Sequence, residues 1–366
     1  QWYDQLNAKE VTDEDYAFAH RIWKQFGLQT FSEYMDLYLK IDVMGLADVF
    51  EEFRSMAHEK FGLDPLHYCG LPGFAWDSML KTTKARLELI SEEETYVWFE
   101  QMIRGGVSVI STRHATANNR GMGAAYDPRH PTKHLMYWDA NSLYPTIMQR
   151  YNLPTGNFRW RATDELPSPT DVNAIMALHD CALEVDIHCP WEHHDKFSDY
   201  PLCPLTINIK EDDISTYSRN TLLTSGAKFT KGNRKLVGDL RPKTHYKIHC
   251  DVLKFALQQG YVLTKVHKLI EWDSSNFMKV YIDQCVGMRK NATSEFEKLF
   301  WKLMINIIYG KTCESVRGRT AVHFETDANT YGRAVSRRHY KRDLFWTIKP
   351  DGSLQMMCYQ MNKRTV

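Results

Sequence analysis

The stretch YWDANSLYPTIMQRYNLP puts an acid, Asp139, directly behind the apolar run HLMYW and just ahead of a helix start. Asn141 or Ser142 can cap that helix, and Pro145 suits its first turn. A carboxylate at such a junction can hold a divalent cation while the free backbone N–H groups of the helix face phosphate oxygens. A lone aspartate there more often only caps the helix, so the reading depends on what else the chain carries.

In EKLFWKLMINIIYGK, Lys298, Lys302 and Asn306 fall at i, i+4 and i+8, with Tyr309 three residues on, so one helix face holds all four. Leu299, Leu303 and Ile307 are expected on the opposite face. From Arg289 to Arg319 seven basic residues stand against three acidic ones, enough local excess to grip a triphosphate, although a solvated lysine stripe would look similar. A third stretch, YLKIDVMGLADVF, sets Tyr38 and Asp42 at i and i+4. The phenol can then orient a water on a metal held by the carboxylate, but such pairs also arise by chance.

These residues need a mixed α/β frame. Thr12 with Asp15 forms a capping-box pattern opening a helix through about Lys24, and a longer periodic segment runs from about Ser32 to Lys60. From Arg104 the texture changes. RGGVSVIS and KHLMYWD read as strands, and LEVDIHC and YVLTKVHKLI add strand-like runs, which puts a boundary near residue 103. Between Ser274 and Tyr309 helical spacing returns as a hairpin broken near RKNATS, where Ser294 and Glu297 supply another capping box. The polar tract from Asp212 to Lys235 reads as a long surface insertion.

At 366 residues the chain has room for two or three domains. With 46 Lys and Arg against 45 Asp and Glu, any nucleic-acid affinity must come from local clusters. The eight cysteines include no CxxC pair, which disfavours a zinc module and suggests reduced thiols of an intracellular protein. No apolar stretch reaches membrane-spanning length, so no membrane partner is expected. The first residue is Gln1 and the last stretch is MMCYQMNKRTV, which read as fragment ends. WEHHDKF reads as an exposed loop, and SRRHYKR as a loop that either is solvated or meets a nucleic-acid backbone.

In this order the three stretches resemble the family B DNA polymerases, most closely the protein-primed branch of adenoviruses and Polinton-type DNA transposons. DANSLYP is similar to that family's first palm motif, KLMINIIYG to its fingers motif and YLKID to the third motif of its proofreading exonuclease. HYCGLPGFAWDSML, LPTGNFRW and YGKTCESVR extend the resemblance over nearly the whole chain. It implies an α/β palm with helical fingers, preceded by the C-terminal part of a ribonuclease H-like 3'-5' exonuclease. The expected segments are 1–103 for the exonuclease part, 104–273 for a palm with a protein-priming insertion, 274–312 for fingers and 313–366 for a return to the palm.

By the same resemblance, Asp139 binds both catalytic metals, magnesium or manganese, and Tyr144 stacks under the incoming sugar and rejects a 2′-hydroxyl. Lys302 and Lys290 hold the triphosphate, with Lys298 a lesser candidate, while Asn306 and Tyr309 line the nascent base pair. Tyr38 and Asp42 belong to the exonuclease, where Asp42 is a metal ligand. IRGG is similar to the family's Tyr-x-Gly-Gly link, with Ile103 in place of Tyr; Arg104, Gly105 and Gly106 there, and Gly310, are expected at DNA. The implied partners are primer–template DNA, deoxynucleoside triphosphates and a terminal protein as primer, in the nucleus or at a viral replication site.

The family's other exonuclease acids and its Asp-Thr-Asp palm hairpin are expected outside Gln1–Val366. FETDAN, Phe324 to Asn329, follows Gly310 too closely to be that hairpin and is read as an ordinary loop. Two carboxylate-poor sites give the expectation that these 366 residues neither extend nor degrade a primer. A decayed, non-catalytic DNA-binding remnant is the alternative. RNA synthesis is disfavoured by the ring of Tyr144.

Overall fold

The computed structural model describes residues 3–4, 8–112, 114–229, 232, 234–352 and 354–362. Thr230, Lys231 and Asn233 of the expected insertion, and the chain-end residues 1–2, 5–7 and 363–366, lie outside the described residues. Two compact units emerge, Gln1–Thr82 and Thr83–Val366.

The first unit opens with the short strands β1 (Tyr3–Asp4) and β2 (Lys9–Glu10), followed by α1 (Asp13–Gln25), α2 (Phe31–Phe61) and α3 (Leu71–Thr83). Both expected helices are present. Thr12 caps α1 by accepting the Asp15 N–H at 3.1 Å. Thr30 and Glu33 form a reciprocal capping box at the start of α2, and Gly62 closes it at φ 61°, the left-handed conformation glycine adopts without strain. The core of this unit is aromatic: Phe53, Phe61 and Tyr68 each meet Phe74 edge-on, at 5.6, 5.9 and 5.5 Å. That is the favoured geometry for rings with a negative face and a positive edge.

The second unit continues with α4 (Glu93–Met102), α5 (Leu143–Arg150), β3 (Leu153–Trp160), α6 (Val172–Ala177), β4 (Cys181–His188) and α7 (His194–Phe197). Then come β5 (Leu205–Asn208), α8 (Thr216–Ser225), β6 (Arg234–Val237), β7 (Lys243–His249), α9 (Cys250–Gln258) and β8 (Val262–Ser275). It ends with α10 (Met278–Asn291), α11 (Glu295–Thr312), β9 (Thr320–Glu325), α12 (Ala328–Val335), β10 (Tyr340–Ile348) and β11 (Leu354–Asn362).

A four-stranded antiparallel sheet, ordered β3-β8-β4-β7, forms the centre. Leu183, Val185 and Ile187 of β4 pack into one core with Leu253 and Ala256 of α9. Ala182 and Ile270 point into a second core, closed by Trp98 of α4. LEVDIHC alternates accordingly, with Leu183, Val185 and Ile187 in the first core and Glu184, Asp186 and His188 on the other face of the strand. A second sheet, β10-β11-β9, follows the hairpin of α10 and α11.

The compact units divide between Thr82 and Thr83, and α4 falls in the second because it packs on the sheet: Trp98 meets Trp160 of β3 edge-on at 5.2 Å. Three expectations need correction. RGGVSVIS and KHLMYWD do not form strands. A strand needs a ladder partner for its N–H and C=O groups, and among the described residues the only pairing in these stretches is a single bridge between Asn118 and Lys133. Tyr137 and Trp138 consequently stand 95 % and 81 % exposed. Finally, FETDAN is a strand-to-helix junction rather than a loop, in which the Asp327 carboxylate accepts the Thr330 N–H at 2.6 Å and caps α12. WEHHDKF is likewise a helical turn followed by α7.

Candidate active site

Asp139 lies on an exposed, irregular segment three residues ahead of Ser142. Ser142 occupies the N-cap of α5 but takes the left-handed conformation, φ 51° and ψ 47°, and its side chain makes no capping hydrogen bond. The first turn is closed by the backbone alone, Thr146 N–H donating to Ser142 O at 2.9 Å. A non-glycine residue held there costs about 1–2 kcal/mol. The capping serine read from the sequence is thus present in position but not in action.

Burying Pro145 and Met148 seats α5, and hydrogen bonds tie it to the helical hairpin. Gln149 Nε2 donates to Asp283 of α10, and Asn276 Nδ2 donates to Gln149 O at 3.0 Å. The hairpin forms as expected, with α10 ending at Asn291 and Ser294 and Glu297 making a reciprocal capping box for α11. Its apolar stripe differs from the one expected. Phe300, Trp301, Met304, Ile305 and Ile308 are buried, whereas Leu299 and Leu303 are 53 % and 39 % exposed. The i, i+4, i+8 stripe shifts round the helix because the two tryptophan- and phenylalanine-bearing positions claim the inward face.

The joint between α5 and α11 is made by two tyrosines. Tyr144 and Tyr309 stack face to face, centroids 4.0 Å apart and planes 7° from parallel. Such a pair is worth about 0.5–1.5 kcal/mol beyond burial. Burial, with Cys313 and Tyr144 beside it, pushes the Tyr309 phenol up. Lys302 and Asn306 are exposed on α11, and Lys290 is exposed near the end of α10. Lys298 is also exposed, but its ammonium is held by Glu295 at 2.7 Å. Gly310 is inside α11, with open space where a Cβ would be.

Arg104 is committed elsewhere. Its guanidinium lies 4.0 Å over the Tyr246 ring and donates to the carbonyls of Lys247 and Met102 at 2.7 and 3.0 Å. Burial holds its pKa below the usual arginine value. It tethers the end of α4 to β7. Gly105 and Gly106 are exposed, and nothing lies within 4 Å of a Cβ at either. Within the first unit, Tyr38 and Asp42 sit on the exposed side of α2.

One group of three or more metal-ligating side chains was found among the described residues, His249, Cys250 and Asp251, and it includes neither Asp139 nor Asp42. Sequence reading also missed a polar cluster on the sheet. His245 and His267 stack at 4.0 Å, His245 Nδ1 lies 2.6 Å from Glu184 and His267 Nε2 lies 2.8 Å from Asp186. The alternating acids of LEVDIHC, with His245 of KTHYKIHC and His267 of YVLTKVHKLI, were its signal.

Residues 6–349 match the family model described as DNA polymerase type B, organellar and viral. The chain belongs to that family. No curated protein matches this type B polymerase chain. Among solved structures it is similar to Phi29 DNA polymerase complexed with primer-template DNA and incoming nucleotide substrates, at 16% sequence identity and a TM-score of 0.41. The match covers 84% of this polymerase chain and 42% of the other, so the chain spans less than half the length of that relative.

Proposed function

We propose that this chain carries the nucleotide-binding part of a DNA-directed DNA polymerase, protein-primed in type. α10 and α11 act as its fingers, Asp139 stands at the palm, and the first unit is part of a 3'-5' exonuclease. The observation that carries the reading is the stack of Tyr144 on Tyr309, because it joins the segment bearing Asp139 to the helix bearing Lys302 and Asn306. On this reading Lys302 and Lys290 meet the triphosphate, Asn306 and Tyr309 flank the nascent base pair, and Tyr144 lies under the sugar. Magnesium or manganese would supply charge neutralisation at the phosphates. Asp139 would offer it one carboxylate.

The test is a binding measurement that needs no chemistry. A primer–template with a dideoxy-terminated primer is mixed with the chain, and complementary or mismatched nucleotide is titrated in with magnesium. Tightening by the complementary nucleotide alone is expected. DNA binding without nucleotide selection would instead favour a non-catalytic DNA-binding remnant, and no DNA binding would sink both readings.

In the same assay Tyr144→Ala should narrow the preference for deoxyribonucleotide over ribonucleotide by about one order of magnitude, the scale on which a pocket rejects a small group by shape. An unchanged ratio removes Tyr144 from the sugar.

A further inference from the structure

We propose that His249, Cys250 and Asp251, together with Cys181, form a site for a thiophilic divalent cation, with zinc the ion that suits the donors. The first three residues open α9, where the chain leaves the sheet. Cys250 Sγ lies 3.9 Å from His249 Nδ1 and 3.8 Å from an Asp251 carboxylate oxygen, and His249 Nδ1 is 3.8 Å from the other oxygen of Asp251. Bonds of about 2.0–2.3 Å to a tetrahedral zinc imply ligand-to-ligand edges of about 3.3–3.8 Å. These edges use both Asp251 oxygens; taken as one atom per residue the three donors all lie within 4.8 Å of one another, so a turn of the exposed Asp251 carboxylate is needed to close them on one ion.

A fourth donor comes from the neighbouring strand. Ala182 of β4 pairs with His249, which sets Cys181, one residue earlier in the strand, beside Cys250. Nitrogen, oxygen and paired sulfur in one cluster is a zinc donor set rather than a magnesium or calcium one. Burial is graded in the same sense. Both cysteines are fully buried, whereas the side chains of His249 and Asp251 are 40 % and 66 % exposed, giving a sulfur floor under an open polar rim.

Two present contacts would be exchanged on binding. The Asp251 N–H donates to His249 Nδ1 at 3.2 Å as the cap of α9, and Lys254 Nζ sits 3.3 Å from Asp251 Oδ1. Each is a single exposed contact, whereas a cation would bridge β4 to α9 through four donors. The ligands are three consecutive residues and one far upstream, so no CxxC spacing announces them. The inference is independent of the polymerase reading.

Cobalt(II) is the probe, titrated into chelator-treated chain in which the exposed Cys69 and Cys313 are serine. One equivalent should bind with a near-ultraviolet thiolate-to-cobalt band and the visible bands of a tetrahedral ion, and zinc should displace it. His249→Gln and Asp251→Asn lie on the exposed rim and should each weaken binding by at least about tenfold without disturbing the core. Cys250→Ser should abolish the near-ultraviolet band. No such band, or a band whose affinity both rim variants leave unchanged, would overturn the proposal whether or not the cysteine variant folds.

Discussion

Replacing Trp98 by alanine is expected to destabilise the second unit by about 3–5 kcal/mol, the usual range for deleting a large buried aromatic. The ring is 4 % exposed and meets Trp160 and Phe99 edge-on at 5.2 and 5.4 Å. Its Nε1–H donates to Glu184 Oε2 at 2.8 Å. Truncation thus opens a cavity and also strips a donor from a buried carboxylate, and leaving such a group unsatisfied adds to the cost. Trp98→Phe separates the two effects, because it keeps most of the apolar surface and loses only the N–H. Denaturant unfolding should place it between wild type and alanine.

Glu184 gives the same network a pH signature. Burial alone would raise its pKa, but hydrogen bonds from His245 and Trp98, with the charge of Lys247, outweigh burial and hold it below the ordinary carboxylate value. A carboxyl depressed in the folded state stabilises above its unfolded pKa, and that contribution is lost as pH falls through the folded value. Glu184→Gln should therefore flatten the acid side of the stability profile. An acid limb identical to wild type would remove Glu184 from that role.

What the sequence made legible was local. Thr12, Ser294 and Glu297 cap as their spacing required, because a capping box involves residues three apart and needs no tertiary partner. The hairpin of α10 and α11 was visible for the same reason. That 104–111 and 133–139 form no strands was not legible, since an apolar alternation states only that a segment could pair and not whether a partner lies beside it. The seat of Arg104 on Tyr246 was not legible because that ring is brought in by β7, far along the chain. The stack of Tyr144 and Tyr309 was beyond spacing too, although both rings had been singled out separately.

Lys302→Ala is expected to weaken binding of the complementary nucleotide by about 1.5–3 kcal/mol, the scale of a hydrogen bond assisted by a full charge. Folding should change by no more than about 0.5 kcal/mol, as for most exposed positions. Lys302 is exposed, while α11 is anchored by Phe300, Trp301, Met304, Ile305 and Ile308 on its other side. Lys298 makes an internal control one turn earlier on the same face. Its ammonium already has Glu295 at 2.7 Å, so moving it to a phosphate costs that ion pair and Lys298→Ala should matter less. Salt adds a second readout: if the lysine acts through charge on a partly exposed phosphate, the gap between wild type and Lys302→Ala should shrink as ionic strength rises. Nucleotide titrations into the dideoxy-terminated complex at two salt concentrations supply both measurements. Equal nucleotide affinity for wild type and Lys302→Ala at low salt would take this lysine out of the site and leave α11 a structural helix with a solvated face.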